Sequence, residues 1–382
     1  MQEKRQNKKS KFSFRQDGKL DITFLSLVFI LLSIGLVMLF SASYAYSYAY
    51  FGNSYRFILR QAVFAVIGVV LKLVISHIDY HLLKKFSWLI YIFTVALLVV
   101  VLILPPMSEE LNVKRWISVA GFSFQPSEIA KFAIIVIFSA WLSVNGEKLK
   151  KFRYVVWMVF LLGVVCCLVV AEPHLSATVL IFAIGIVLPI VGGLQKRWII
   201  AGAGAGVGGV LFLIFSGAIS YGSDRIKYWL DPWADATGSG YQTIQSLLAI
   251  GSGEIMGRGI GQSRQKHLWV PEPHNDFIFS IVCEELGLIG AMVIILLFCA
   301  LVWRGFTIAM RAEDKFGTLL AIGLTFQVGL QAILNILVVT NTIPNTGISL
   351  PFFSYGGTAL VILLAEMGVV LSISRSSSVE KL

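Results

Sequence analysis

Arg264, Lys266, His274 and Asp276 stand close together in one polar stretch, and Asp276 sits where that stretch turns apolar. A carboxylate at such a boundary is a candidate general base, and neighbouring cations can grip an anionic phosphate. The plainer reading is a helix cap, because an Asp side chain accepts the orphan backbone N–H groups of a helix start. Base plus cations would suit glycosyl transfer from a lipid diphosphate: the attacking hydroxyl needs a base, and the leaving diphosphate needs charge neutralisation more than a proton. A glycosidase would need two carboxyl groups roughly 5 to 9.5 Å apart. Asp276 and Glu284, on one helix, would be separated by about 12 Å of rise. Asp276 is therefore the candidate catalytic residue, with Arg264, Lys266 and His274 as candidate substrate-binding groups.

A second constellation is Gln125-Pro-Ser-Glu-Ile-Ala-Lys131. Pro126 suits a first helical turn, and Glu128 and Lys131, three apart, share a face. An ion pair entering lipid is costly unless it faces protein or water, so it is either a functional pair or a structural lock. Lys114 and Arg115 lie in the preceding loop and join the candidate substrate-binding set with Glu128 and Lys131. Glu172, in Glu-Pro-His174, and Glu366, inside an apolar run, raise the same question of a buried charge. No His, Cys, Asp or Glu grouping has metal-ligand spacing, so a divalent cation such as Mg or Mn is expected at most in company with a substrate diphosphate.

These residues are positioned by a membrane bundle. The chain has 382 residues, 57% of them hydrophobic and 14% charged, which would demand an impossibly large dry core in water. A spanning helix needs roughly 20 apolar residues. About ten such runs are present: Ile22 to Phe40, Phe57 to Ile75, Phe86 to Leu104, Ile129 to Val144, Tyr154 to Ala171, Leu175 to Ile190, Trp198 to Ile219, Phe277 to Trp303, Phe316 to Val339 and Tyr355 to Ile373. The expected fold is an all-α polytopic membrane protein of about ten transmembrane helices, with a basic tail (1–20), a membrane domain (21–375) and a short tail (376–382). A large extracytoplasmic loop (220–275) separates helices 7 and 8. Both termini are cytoplasmic on this reading, because about 21 of the 31 Lys and Arg fall on the N-terminal side and nine on the other, with Lys131 within the membrane.

The +10 net charge follows from that bias and from anionic inner-leaflet lipid, which removes the case for nucleic acid. Ser41-Ala-Ser43 could pass for a signal-peptidase site, but cleavage there would leave nine helices and an inverted charge bias, so the first span is expected to stay. Cys166, Cys167, Cys283 and Cys299 fall inside predicted helices and read as small apolar residues. The small residues from Ala201 read as close helix packing. Residues 241–250 predict a short helix on the membrane surface, and the Pro- and Gly-rich loop 341–357 predicts a cavity wall.

Seven stretches in order along the chain resemble the SEDS family (shape, elongation, division and sporulation), most closely its FtsW and SpoVE members. They are Ser41-Ala-Ser43, Lys114-Arg-Trp-Ile117, the Gln125 to Lys131 run, Asp231-Pro-Trp through Gln245-Ser246, Gly261 to Lys266, Pro271 to Phe279 with Glu284-Glu-Leu-Gly287, and Leu350 to Gly357. The resemblance implies a ten-helix fold and an inverting peptidoglycan glycosyltransferase. Such an enzyme polymerises lipid II into a growing glycan strand at the outer face of the bacterial cytoplasmic membrane, in septal synthesis during cell division. It also implies a class B penicillin-binding protein and other divisome proteins as partners. The family's essential outer-loop aspartate falls on Asp276, and its fourth-helix acidic and basic pair on Glu128 and Lys131. The chain departs from the family at His174, where an acidic residue is usual, and at Glu366, which belongs to no family motif. The rival readings are a lipid II flippase, which Glu366 would serve, and a noncatalytic scaffold that recruits the penicillin-binding protein.

Overall fold

A computed structural model describes residues 18–104, 115–119, 122–200, 202, 227–238 and 240–376. Its helices are α1 (Ile22–Phe51), α2 (Arg56–Ile75), α3 (His81–Lys85), α4 (Ser87–Ile103), α5 (Pro126–Asn145), α6 (Phe152–Ala171), α7 (Leu175–Val191), α8 (Tyr241–Ser252), α9 (Ile278–Met310), α10 (Lys315–Val339) and α11 (Gly357–Ser376). Seven of these are long and apolar enough to cross a membrane, and α4 and α7 are shorter apolar helices of 17 residues each. Seventeen residues rise about 26 Å, at the short end of what spans a bilayer. Nine of the ten expected spans thus have their helix among the described residues. The seventh, Trp198 to Ile219, lies mostly outside them.

The chain is a multi-pass membrane protein, and its side-chain distribution shows why. On α2 the outward residues Leu59, Val63, Val66 and Val70 are exposed, while Gln61, Gly68 and Lys72 are buried. A helix in water would reverse that pattern. Small residues set the closest approaches. A Cβ on Gly68 would meet Leu364, one on Gly368 would meet the Lys72 backbone, and one on Gly35 would meet the Phe352 carbonyl. Helix starts are fixed locally: the Asp21 side chain accepts from Phe24 N, Asp314 accepts from Phe316 N and Gly317 N, and Pro126 takes the first turn of α5.

Three features differ from the sequence reading. A two-stranded antiparallel hairpin, β1 (Ile117–Val119) with β2 (Phe122–Phe124), pairs Ile117 with Phe124 and leads into α5. It is too short for its alternation to register as a strand pattern. Lys72, a charge inside the second expected span that the sequence reading did not single out, is fully buried, with its ammonium 3.6 Å from the centroid of the Phe29 ring. The third is a break in the eighth span.

α9 breaks at Gly287, whose φ of 66° and ψ of −170° are not helical. The freed backbone is taken up by residues 254–259. Arg258 N and Gly259 N donate to the carbonyls of Glu284 and Glu285, while Leu288 N and Ile289 N donate to those of Glu254 and Ile255. Irregular backbone at this depth persists because protein satisfies it.

Candidate functional site at the outer end of the bundle

Asp276 ends the segment that leads into α9, and it is not that helix's cap. The N-cap position is Phe277, and no side chain there accepts from the first turn. The segment is instead held from behind: Asn335 Nδ2 on α10 donates to the carbonyls of Asp276 (2.7 Å) and Ile348 (2.6 Å). Ser354 Oγ donates to the Asn275 carbonyl at 2.7 Å, and Tyr355 N to the His274 carbonyl at 2.8 Å. With its backbone tied down on one side, Asp276 lines a cavity of about 850 Å³ on the other.

That cavity gathers residues far apart in sequence. Arg60 comes from α2, Arg115 from the irregular segment just before β1, Glu128 and Lys131 from α5, His174 from the start of α7, and Glu272 and Asp276 from the polar loop. Loop 341–357 contributes Gly347, Ile348, Ser349 and Tyr355 to its wall, as the sequence predicts. Lys131 Nζ lies 2.8 Å from Glu128 Oε2 and donates to Gln331 Oε1 at 3.1 Å, so the ammonium is held by one carboxylate and one amide. Gln331 is anchored in turn by donating to the Ser349 carbonyl and hydroxyl. Such a chain of bonds fixes where the Lys131 charge stands.

Protein packed around the Asp276 carboxyl pushes it up to about 6, and the like charge of Glu272 adds to the rise. A carboxyl of that strength is still about nine-tenths ionised at pH 7, so it can take a proton. His174 is buried, with Ser127 Oγ 3.2 Å from its Nδ1 and Gln125 beside it. Burial, with Arg115 and Lys131 nearby, holds it down at about 3, so the ring is neutral. Glu172 is pushed up to about 8 by burial, which Arg115 opposes. Arg115 donates to the carbonyls of Glu172 and Pro173, and so ties its loop to the α6–α7 turn.

Three sequence candidates stand elsewhere. Lys266 is buried in an ion pair with Glu285 at 2.9 Å and donates to Ser41 Oγ at 3.0 Å, so its charge is spent on linking the outer loop to α1 and α9. Arg264 is exposed and does not line the cavity; its backbone N–H donates to Glu284 Oε1. His274 packs among Tyr46, Phe57 and Tyr355, and burial brings it down to about 4, so it is a neutral packing residue. Nearness to Asp276 along the chain misplaced all three. Lys114 lies outside the described residues. Arg60, inside the second expected span and not among the sequence candidates, stands in the cavity.

Among the described residues, no three His, Cys, Asp or Glu side chains are grouped to hold a metal. Glu128, Glu272 and Asp276 line the cavity, and Mg²⁺ carried mainly by a bound diphosphate would need no more than one or two of these carboxylates beside phosphate oxygens.

Comparison with known proteins gives this arrangement its family. The model of the cell cycle proteins FtsW, RodA and SpoVE matches residues 22–379. The chain belongs to the FtsW/RodA/SpoVE family. It is 40% identical over 361 residues to stage V sporulation protein E of Bacillus subtilis, covering 94% of this chain and 97% of that one. It is 38% identical over 356 residues to a probable peptidoglycan glycosyltransferase FtsW of Geobacter sp. (strain M18), covering 93% and 96%. A solved structure described as "Structural coordination of polymerization and crosslinking by a peptidoglycan synthase complex" matches with a TM-score of 0.79 and 26% identity, over 94% of this chain and 99% of that one.

Proposed function

We propose that this chain is a peptidoglycan glycosyltransferase that polymerises lipid II into glycan strands at the outer face of the cytoplasmic membrane. The observation that carries the reading is one cavity in which the ionised Asp276 faces the cations Arg60, Arg115 and Lys131, in a chain of this family. A base and three cations are what transfer from a sugar diphosphate asks for.

In the reaction, the acceptor hydroxyl oxygen bonds to the donor's anomeric carbon while the bond from that carbon to the diphosphate breaks. The electron pair leaves with undecaprenyl diphosphate, and the hydroxyl proton passes to Asp276 and then to water. Attack from the side opposite the leaving group inverts the anomeric centre. Arg60, Arg115 and Lys131 hold the diphosphate and balance its growing charge. A Mg or Mn ion bound with the diphosphate would add positive charge at the same place.

A class B penicillin-binding protein that crosslinks the new strands is the proposed partner, and the division septum with its divisome proteins the proposed location. The synthase complex of polymerisation and crosslinking supports the partner, and the likeness to relatives named FtsW supports the septum.

The deciding assay incubates the purified chain with labelled lipid II and the partner inactivated at its crosslinking serine, comparing wild type with Asp276→Ala. Glycan strands from wild type alone are expected. Strands of equal yield from Asp276→Ala would remove the base. No strands from wild type, with lipid II intact, would favour the flippase or scaffold reading.

A further inference from the structure

Midway along the bundle an acid and an amide are buried against each other. Gln327 Nε2 of α10 donates to Glu366 Oε2 of α11 at 3.0 Å, while Gln327 Oε1 and Glu366 Oε1 are both buried without a hydrogen-bond partner. A carboxylate carries acceptors only, so as an anion Glu366 leaves both oxygens unmatched. One proton resolves both. A carboxylic acid and a primary amide each offer one donor and one acceptor on adjacent atoms, and head to head they close a ring of two hydrogen bonds. Leaving the acid charged would instead strand an anion in the apolar depth of the membrane.

We propose that Glu366 is held as a neutral acid paired head to head with Gln327, and that its neutrality leaves Lys131 available to the anionic ligand of the outer cavity. Lys131 and Glu128 of α5 lie within electrostatic reach of Glu366. From α2, Lys72 points its ammonium at Phe29 on α1. Asp79 and Tyr80 share with Glu366 the lining of an apolar cavity of about 350 Å³ toward the cytoplasmic side. Arg304 of α9 is paired with Asp21 at 2.8 Å. Lys131 is therefore the cation whose balance Glu366 can alter. With Glu366 neutral, Glu128 is the carboxylate charge set against Lys131, beside the neutral amide of Gln331. With Glu366 ionised, the three groups carry a net negative charge and repel a diphosphate. Glu366 is a positioning residue, acting through Lys131, and its link to the diphosphate rests on the proposed function.

The test has two arms. In infrared spectra of the full chain with carbon-13-labelled glutamate at pH 7, wild type minus Glu366→Gln should show one protonated-carboxyl C=O band. That band should shift in Gln327→Leu, which removes the hydrogen bond to the carbonyl. No such band in the difference spectrum overturns the proposal, whether or not the chain polymerises lipid II. In the second arm, Glu366→Ala should raise KM for lipid II roughly tenfold, since it leaves a buried amide unpaired. Glu366→Gln, which closes the same ring amide to amide, should restore it to within about twofold. A loss in Glu366→Gln equal to that in Glu366→Ala would show that a charged carboxylate is required.

Discussion

At the residue scale, a charge acts through what surrounds it, and the lysines and arginines of the outer end divide accordingly. Lys266 neutralises Glu285, which has no exposure of its own, and Lys266→Met would leave a buried carboxylate unpaired. Removing one partner of such a pair costs about 3–5 kcal/mol, so Lys266→Met should lower the thermal midpoint sharply in detergent. Arg60 is exposed and lines the cavity, so Arg60→Ala should leave the midpoint unchanged and raise KM for lipid II roughly tenfold. Equal midpoints for the two variants would show that the ion pair does not hold the loop. Asp276 gives a pH dependence with a definite sign. Its carboxyl, at about 6, keeps its proton to higher pH than an ordinary Asp near 3.8, and a base works only when the proton is gone. Activity should therefore rise as pH climbs through about 6 and level off above it. Stability runs the other way, because the native state binds the extra proton and loses that advantage as pH rises from 3.8 through 6. A profile of kcat/KM with an acid limb near 4 would mean that the carboxyl is not crowded as described. The sequence brought Asp276, Glu128, Lys131 and Arg115 to notice by residue type. It could not separate Lys266 from them, because only the fold reveals the facing Glu285.

At the element scale, the spans were legible because a long apolar run has few other ways to bury its backbone. The break in α9 was not, since a lone glycine in an apolar helix is unremarkable in composition. Its cause is spatial: a Cβ on Gly287 would stand 2.3 Å from Gly257 N and 2.5 Å from the Ile255 carbonyl oxygen. Gly287 also has φ of 66°, a conformation that disfavours any side chain. The break lets residues 254–259 dock on the first turns of α9, where Glu284 accepts from the N–H groups of Arg264 and Gln265. Asp276 precedes this assembly, and its own segment is held separately by Asn335, Ser354 and Tyr355. Gly287→Ala should destabilise the outer loop by at least 1–3 kcal/mol, the usual cost of one strained backbone position. Protease cleavage within residues 254–268 at a temperature where wild type resists would register it. Unchanged resistance would mean that α9 can straighten without cost.

At the scale of the whole molecule, the functional reading depends on which side of the membrane holds the cavity. Composition argues for the outer side, because most of the Lys and Arg of the sequence fall in the connections on the other side of the spans. The packing is consistent with one continuous orientation. Asp21 at the start of α1 pairs with Arg304 near the end of α9, and Arg375 at the end of α11 donates to the Gly18 carbonyl, so these three ends lie together. The opposite end carries Asp276 and its cavity. Single cysteines in a chain lacking the four native ones can decide the matter. Glu147→Cys, exposed between α5 and α6, should react with a membrane-impermeant thiol reagent only after the membrane is opened. Gln262→Cys, exposed in the outer loop, should react in intact cells. Reaction of the first and protection of the second would place Asp276 in the cytoplasm. Asp276 could then still be a base, but it could not extend strands outside the cell, and the proposed function would fall with the orientation.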